Sequence, residues 1–156
     1  VTVLAAPRVI AAHAAALPTL PGWAADGDRP AVAVYEGAAL RRDDVREYVT
    51  LGYVAGVDDP AVSLEPVPTA QGQNRERGTV VCQLIVAAAD VPAARTRTFD
   101  LIGAWSGWLV TDRTLGGTLM HGSETHLAAD VALATTRAGA TANALVTITY
   151  TAVTYG

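Results

Sequence analysis

Residues Gln73 to Val86 constrain this chain more than any other stretch. A charged knot, Gln73-Asn74-Arg75-Glu76-Arg77, runs without a linker into an apolar strand, Thr79-Val80-Val81-Cys82-Gln83-Leu84-Ile85-Val86. An apolar strand of this kind predicts burial deep in a sheet, with its charged entry held at a polar rim. A helix-start signal follows at Asp90. Nothing around it has the look of a catalytic centre, so the rim is where function is sought. The pattern points to assembly rather than chemistry.

Composition narrows the class. At 156 residues, one domain is expected, and a chain of this size buries roughly 70% of its unfolded surface. The apolar content is rich in Ala and Val, with only 6% aromatics, so the core is built from small and β-branched side chains that suit sheets. All 11 basic residues are arginine, the better residue for bidentate contacts at interfaces. A net charge of -4 argues against a nucleic-acid-binding surface, which needs a basic stripe.

The single cysteine, Cys82, cannot form an internal disulfide and sits within the apolar strand, where it reads as a small hydrophobe. The segment from Val1 to Ala16 is apolar but lacks a basic leading region and is broken by Pro7 and Arg8, so it does not read as a signal peptide. No stretch approaches the ~20 apolar residues of a membrane span. The expectation is a soluble protein made in a reducing cytoplasm.

Along the chain, Pro7 to Leu17 predicts a short helix with Val9, Ile10, His13 and Leu17 near one stripe. His13 there reads as a core or boundary residue rather than a ligand. Asp26-Gly27-Asp28 lacks the glycine position and later carboxylates of a calcium loop and reads as a turn before a strand, Ala31 to Glu36. Arg41-Arg42-Asp43-Asp44 is a mixed cluster. Its arginines favour ion pairs on a solvated face over an acid–base pair of carboxylates, and Arg41 and Arg42 are rim candidates. A strand follows at Glu47 to Val54, with Tyr48 and Tyr53 on opposite faces by parity. Pro60, Pro66 and Pro68 bracket Val62-Ser63-Leu64-Glu65, which predicts an edge strand or extended arm over about 58–74.

Asp90 as N-cap and Pro92 in the first turn predict a long helix to about Val110. Phe99, Ile102, Trp105 and Leu109 recur at helical spacing and are expected on the sheet, with Leu101 and Trp108 widening the stripe. Trp108 falls ~80° off it at 100° per residue and is the candidate subunit contact. Arg95 and Arg97 mark the solvated side. Two or more strands finish the chain, turning at Arg137-Ala138-Gly139. In the last strand Val146, Ile148, Tyr150 and Ala152 share one face.

His121 and His126 have no Cys or carboxylate partner at ligand spacing, and Ser123, His126 and Asp130 lack a nucleophile elbow. No repeat, P-loop, dinucleotide fingerprint or zinc motif occurs. No catalytic residue, metal or cofactor is expected. The order of elements predicts a single α+β domain, an antiparallel or mixed sheet packed by one long helix and a short N-terminal helix.

In their order and spacing these pieces resemble the phage tail terminator (tail-completion) proteins of long-tailed phages. The matching pieces are the leading helix, Glu47-Tyr48-Val49-Thr50-Leu51-Gly52-Tyr53, and the lead from Gln73-Asn74-Arg75-Glu76-Arg77 through Cys82. They continue with the Asp90 to Val110 helix around Leu101-Ile102-Gly103-Ala104, then Thr114-Leu115-Gly116-Gly117 and Val146-Thr147-Ile148-Thr149-Tyr150. The resemblance covers about Arg8 to Tyr155. It implies a structural virion protein that closes with copies of itself into a ring, commonly a hexamer. Such a ring caps the tail tube protein, stops its growth and meets the head-completion or stopper protein of the neck. DNA passes through the lumen without specific binding, no membrane is involved, and assembly takes place in the bacterial host cytoplasm. Gln73, Asn74, Arg75, Glu76, Arg77, Trp108, Arg41 and Arg42 are the interface and rim candidates. A head-completion protein, a tail tube subunit, or a small enzyme using Asp43, Asp44 or His121 are the alternatives.

Overall fold

The spine of the fold is β4 (Gln73–Ala88), a 16-residue strand where about five or six is usual. Strand β6 (Gly139–Tyr155) pairs antiparallel along its whole length, from Gln73↔Tyr155 to Ala88↔Ala140. The opposite edge of β4 is divided between two neighbours. Its first half takes β3 (Val62–Pro68), from Val62↔Val80 to Pro68↔Asn74. Its second half takes β2 (Glu47–Leu51), from Leu51↔Cys82 to Glu47↔Val86. Beyond β2 lies β1 (Ala33–Glu36), in parallel register, and beyond β6 lies β5 (Glu124–Thr136), antiparallel. This computed structural model describes residues 4–39, 45–69 and 73–155, apart from the side chains of Gln73, Asn74, Thr154 and Tyr155. Within them the sheet is mixed and six-stranded, and the class is α+β.

The charged knot is therefore strand, not a lead into one. Charged residues pair their backbone as any others do, and the two-residue period sorts their side chains onto opposite faces. Arg75 and Arg77 go to one face and are exposed. Glu76 goes to the other, with Gly78, Val80, Cys82, Leu84 and Val86, and is buried. The expected arm is likewise an edge strand laid along that charged half, with residues 70–72 outside the described set. Strand β2 stops at Leu51, short of Val54, because Gly52 turns the chain at φ +68°. A side chain there would also press on Val62 and Ile10, at 3.1 and 3.3 Å.

Helices α1 (Ala6–Ala16) and α2 (Val91–Thr111) cover one sheet face. Asp90 caps α2 by accepting the Ala93 N–H at 2.8 Å. The core between the layers holds Val80, Cys82, Leu84 and Val86 of β4, and the whole even-numbered row of β6 from Ala140 to Ala152. All three tryptophans meet there. Trp23, from the loop after α1, packs edge-on against Trp105 at 5.7 Å, and His13 sits between Trp105 and Trp108. The Trp23 indole N–H donates to the Leu101 carbonyl at 3.0 Å.

The buried stripe of α2 is Ala94, Thr98, Leu101, Trp105 and Leu109, not the one running through Phe99. At ~100° per residue these five lie within about 40° of Trp105, whereas Phe99 lies about 120° away. Phe99 is 54% exposed. Ile102 and Trp108, at about 60° on either flank, are half-buried. Arg97 is not on the solvated side either; it forms a half-buried ion pair with Glu47. Among the described residues no helix is long and apolar enough to cross a membrane.

Candidate functional site

The rim candidates separate when placed on the sheet. Arg75 and Arg77 project from the face away from the helices, flanked in register by Val67 and Glu65 of β3 and by Val153 and Thr151 of β6. Arg75 also lines a cleft with Met120, His121 and Val153. Strand β3 beside them is exposed over most of its length, and its exposed Leu64, in register with Gly78, belongs to the opposite face. Gln73 and Asn74 continue the ladder at its far end, their side chains outside the described residues. Arg41 and Arg42, with Asp43 and Asp44, also lie outside them. Trp108 is half-buried against His13, with ring centroids 5.1 Å apart, so part of its surface is already used within the subunit. The outward face of α2 presents Phe99 and Val110, the latter 69% exposed.

Glu76 departs from the expected rim. Only 4% exposed, it accepts the Ala5 N–H at 2.9 Å and the Ala6 N–H at 3.1 Å. It also accepts the Tyr150 hydroxyl at 2.6 Å. Helix α1 has no side-chain cap of its own, since Ala5 stands at the N-cap. A carboxylate from β4 fills that place, and its charge suits the positive end of a helix. The Tyr150 ring reaches it by crossing Gly78, its register partner. A methyl group at Gly78 would stand 2.3 Å from the ring. Burial and the Glu76 carboxylate push the Tyr150 phenol well above its ordinary range, so it stays a donor. Alternation alone could have revealed this, because Glu76 has the same parity as Val80, Cys82 and Leu84.

Among the described residues, those that could do chemistry do not converge. Burial pushes the Cys82 thiol up to about 12, which leaves it inert as a nucleophile at neutral pH. Ser123 is buried with its hydroxyl accepting the Val153 N–H at 3.1 Å, a loop anchor. His126 is exposed on β5 beside Glu124 at 3.7 Å, and His121 is exposed in the preceding turn. Among the described residues no three His, Cys, Asp or Glu side chains are grouped to hold a metal ion. A polar cluster does lie on the face away from the helices. There Gln83 donates to Asn143 Oδ1 and accepts the Ala55 N–H, each at 3.1 Å, folding the loop after β2 back over the sheet.

The described residues thus expose Arg75 and Arg77 on one sheet face, Leu64 on the other face of β3, and Phe99 and Val110 on the outer side of α2. No protein-family model matches the chain, and no curated protein compared with it does so.

Proposed function

We propose that this chain is a structural subunit of a phage tail, a tail terminator that closes with copies of itself into a ring. The ring, a hexamer in the family the sequence resembles, would cap the tail tube, end its growth and join the neck, with DNA passing through its lumen.

The observation that carries the reading is the edge formed by β3 and the charged half of β4. Its prolines, Pro66 and Pro68, fall within the strand, and proline at an edge opposes unlimited strand-to-strand addition. Side chains are then the means of association, and Arg75 and Arg77 on one face, with Leu64 on the other, are exposed to provide it. A closed ring needs two different patches that meet head to tail. The outer face of α2, with Phe99 and Val110, is the second. Arginines and exposed aromatic side chains are enriched at contact surfaces. The acidic net charge of -4 supports a lumen to which DNA does not stick.

Negative-stain images and sizing of the purified chain test the reading. Closed rings of uniform diameter are expected. Open-ended tubes would favour a tube subunit, and a monomer at all concentrations would overturn assembly altogether. The Arg75→Glu, Arg77→Glu double variant should keep its fold and lose the ring.

A further inference from the structure

One cavity belongs to neither patch. It holds about 440 Å³ between the loop before β1, the start of β2, the end of β4 and the first two turns of α2. Its wall is small and apolar, with Ala31, Ala33, Ala87, Ala88 and Ala93 among its residues, and its charges are Arg29, Arg46, Arg97 and Glu47. Among its described residues three arginines against one glutamate leave a formal charge of +2, in a chain whose total is -4.

The arginines are not equivalent. Arg97 is committed, its Nε and a terminal nitrogen holding Glu47 at 2.6 and 2.9 Å and the same terminal nitrogen holding the Gly22 carbonyl at 2.6 Å. That pair neutralises Glu47. Among the described residues Arg29 pairs with the well-solvated Asp26, at 3.8 Å, and its buried Nε has no hydrogen-bond partner. Arg46 is exposed at the cavity and holds its place through its backbone carbonyl, which accepts the Ala87 N–H at 3.0 Å. Asp90, which accepts the Ala93 N–H through Oδ1, is not among the residues lining the cavity.

We infer that this cavity is a binding site for an aliphatic carboxylate, with Arg46 and Arg29 as its ligands and the alanine wall around its tail. Guanidinium and carboxylate match in geometry and charge. Two available guanidiniums suit two oxygens, whereas a phosphate would turn its remaining oxygens toward methyl groups, which is costly. The volume lies in the range of small-molecule sites, about 300–1,000 Å³, and such sites are mostly apolar with few polar groups. The carboxylate can come from a free small acid or from the C-terminus of a peptide. The inference is independent of the ring.

Calorimetric titration of the full chain with hexanoate is the test, alongside acetyl-Ala-Val-Ala bearing a free or an amidated C-terminus. Saturable binding by hexanoate is expected, absent for hexan-1-ol and weaker for inorganic phosphate. Binding by the free peptide alone would place the carboxylate on a chain end and still support the site. Arg46→Gln should weaken binding by about tenfold or more, the scale of one charge-assisted contact. Ala93→Leu, on the exposed first turn, should block it with both arginines in place, and Arg95→Gln should change nothing. The inference is overturned if neither carboxylate saturates, if phosphate binds more tightly, or if binding survives both Arg46→Gln and Ala93→Leu.

Discussion

Tyr150 and Glu76 meet across 2.6 Å in the core, and the same carboxylate caps the first helix through Ala5 and Ala6. Three buried donors therefore depend on one side chain. Glu76→Ala would leave all three without a partner and should cost about 3–5 kcal/mol, the scale of breaking a buried charged network. Tyr150→Phe removes one hydrogen bond and should cost about 1–2 kcal/mol. Urea titrations of the two variants should differ in that order; equal losses would mean that Glu76 acts only through Tyr150.

Gly78 should tolerate no side chain. Its Cβ would collide with the Tyr150 ring at 2.3 Å, so Gly78→Ala must displace the ring and break its bond to Glu76. A loss of about 2–4 kcal/mol is expected, combining overpacking with a lost buried hydrogen bond. Adding Tyr150→Phe to Gly78→Ala should then cost little more, because the bond is already gone. Full additivity in the double variant would contradict this coupling.

His13 predicts a pH dependence. Its Nδ1 lies 2.7 Å from the Val9 carbonyl, while its buried Nε2 has no partner among the described residues. Burial lowers its pKa from 6.5 to about 4, partly opposed by the Val9 contact. Between those values the unfolded chain takes up a proton that the folded one refuses. Stability therefore falls as pH drops from about 7 towards 4, by roughly 2–3 kcal/mol from this group, and levels off below. His13→Phe should flatten that part of the curve in urea titrations at stepped pH. An unchanged slope would assign it to other groups.

On α2, Trp105 and Phe99 should separate folding from assembly. Trp105→Ala empties the centre of the aromatic cluster and should cost about 3–5 kcal/mol. Phe99→Ser, at an exposed site, should change folding by less than about 0.5 kcal/mol and weaken any ring by about 1–2 kcal/mol per contact. Sizing together with urea titration distinguishes these outcomes. Severe unfolding by Phe99→Ser would place its ring inside the subunit.

The way these residues sort shows what a sequence can and cannot disclose. Strict alternation placed Val146, Ile148, Tyr150 and Ala152 on one face, and all four are buried. The cap at Asp90 and the turn at Arg137 to Gly139 were legible because each rests on local chemistry. The phase of α2 was not. Two overlapping stripes share Trp105 and Leu109, and the buried one includes a threonine. Thr98 can lie in the core because its hydroxyl donates back to the Ala94 carbonyl at 2.7 Å, so a polar letter behaves as an apolar side chain. Glu76 misled for the converse reason. Its charge suggested solvent, while its partners lie 70, 71 and 74 positions away.

Those separations bear on the order in which the chain folds. A helix of 11 residues is marginal in isolation, and α1 lacks a local cap. Its first turn is completed by Glu76 of β4, about 70 residues along the chain, which Tyr150 of β6 also holds. Closing so long a loop is slow compared with forming local turns. Helix α1 should therefore consolidate after the central ladder, with Ala6→Gly speeding unfolding and leaving the refolding rate nearly unchanged. Helix α1, made before the strands that complete it, would settle after them.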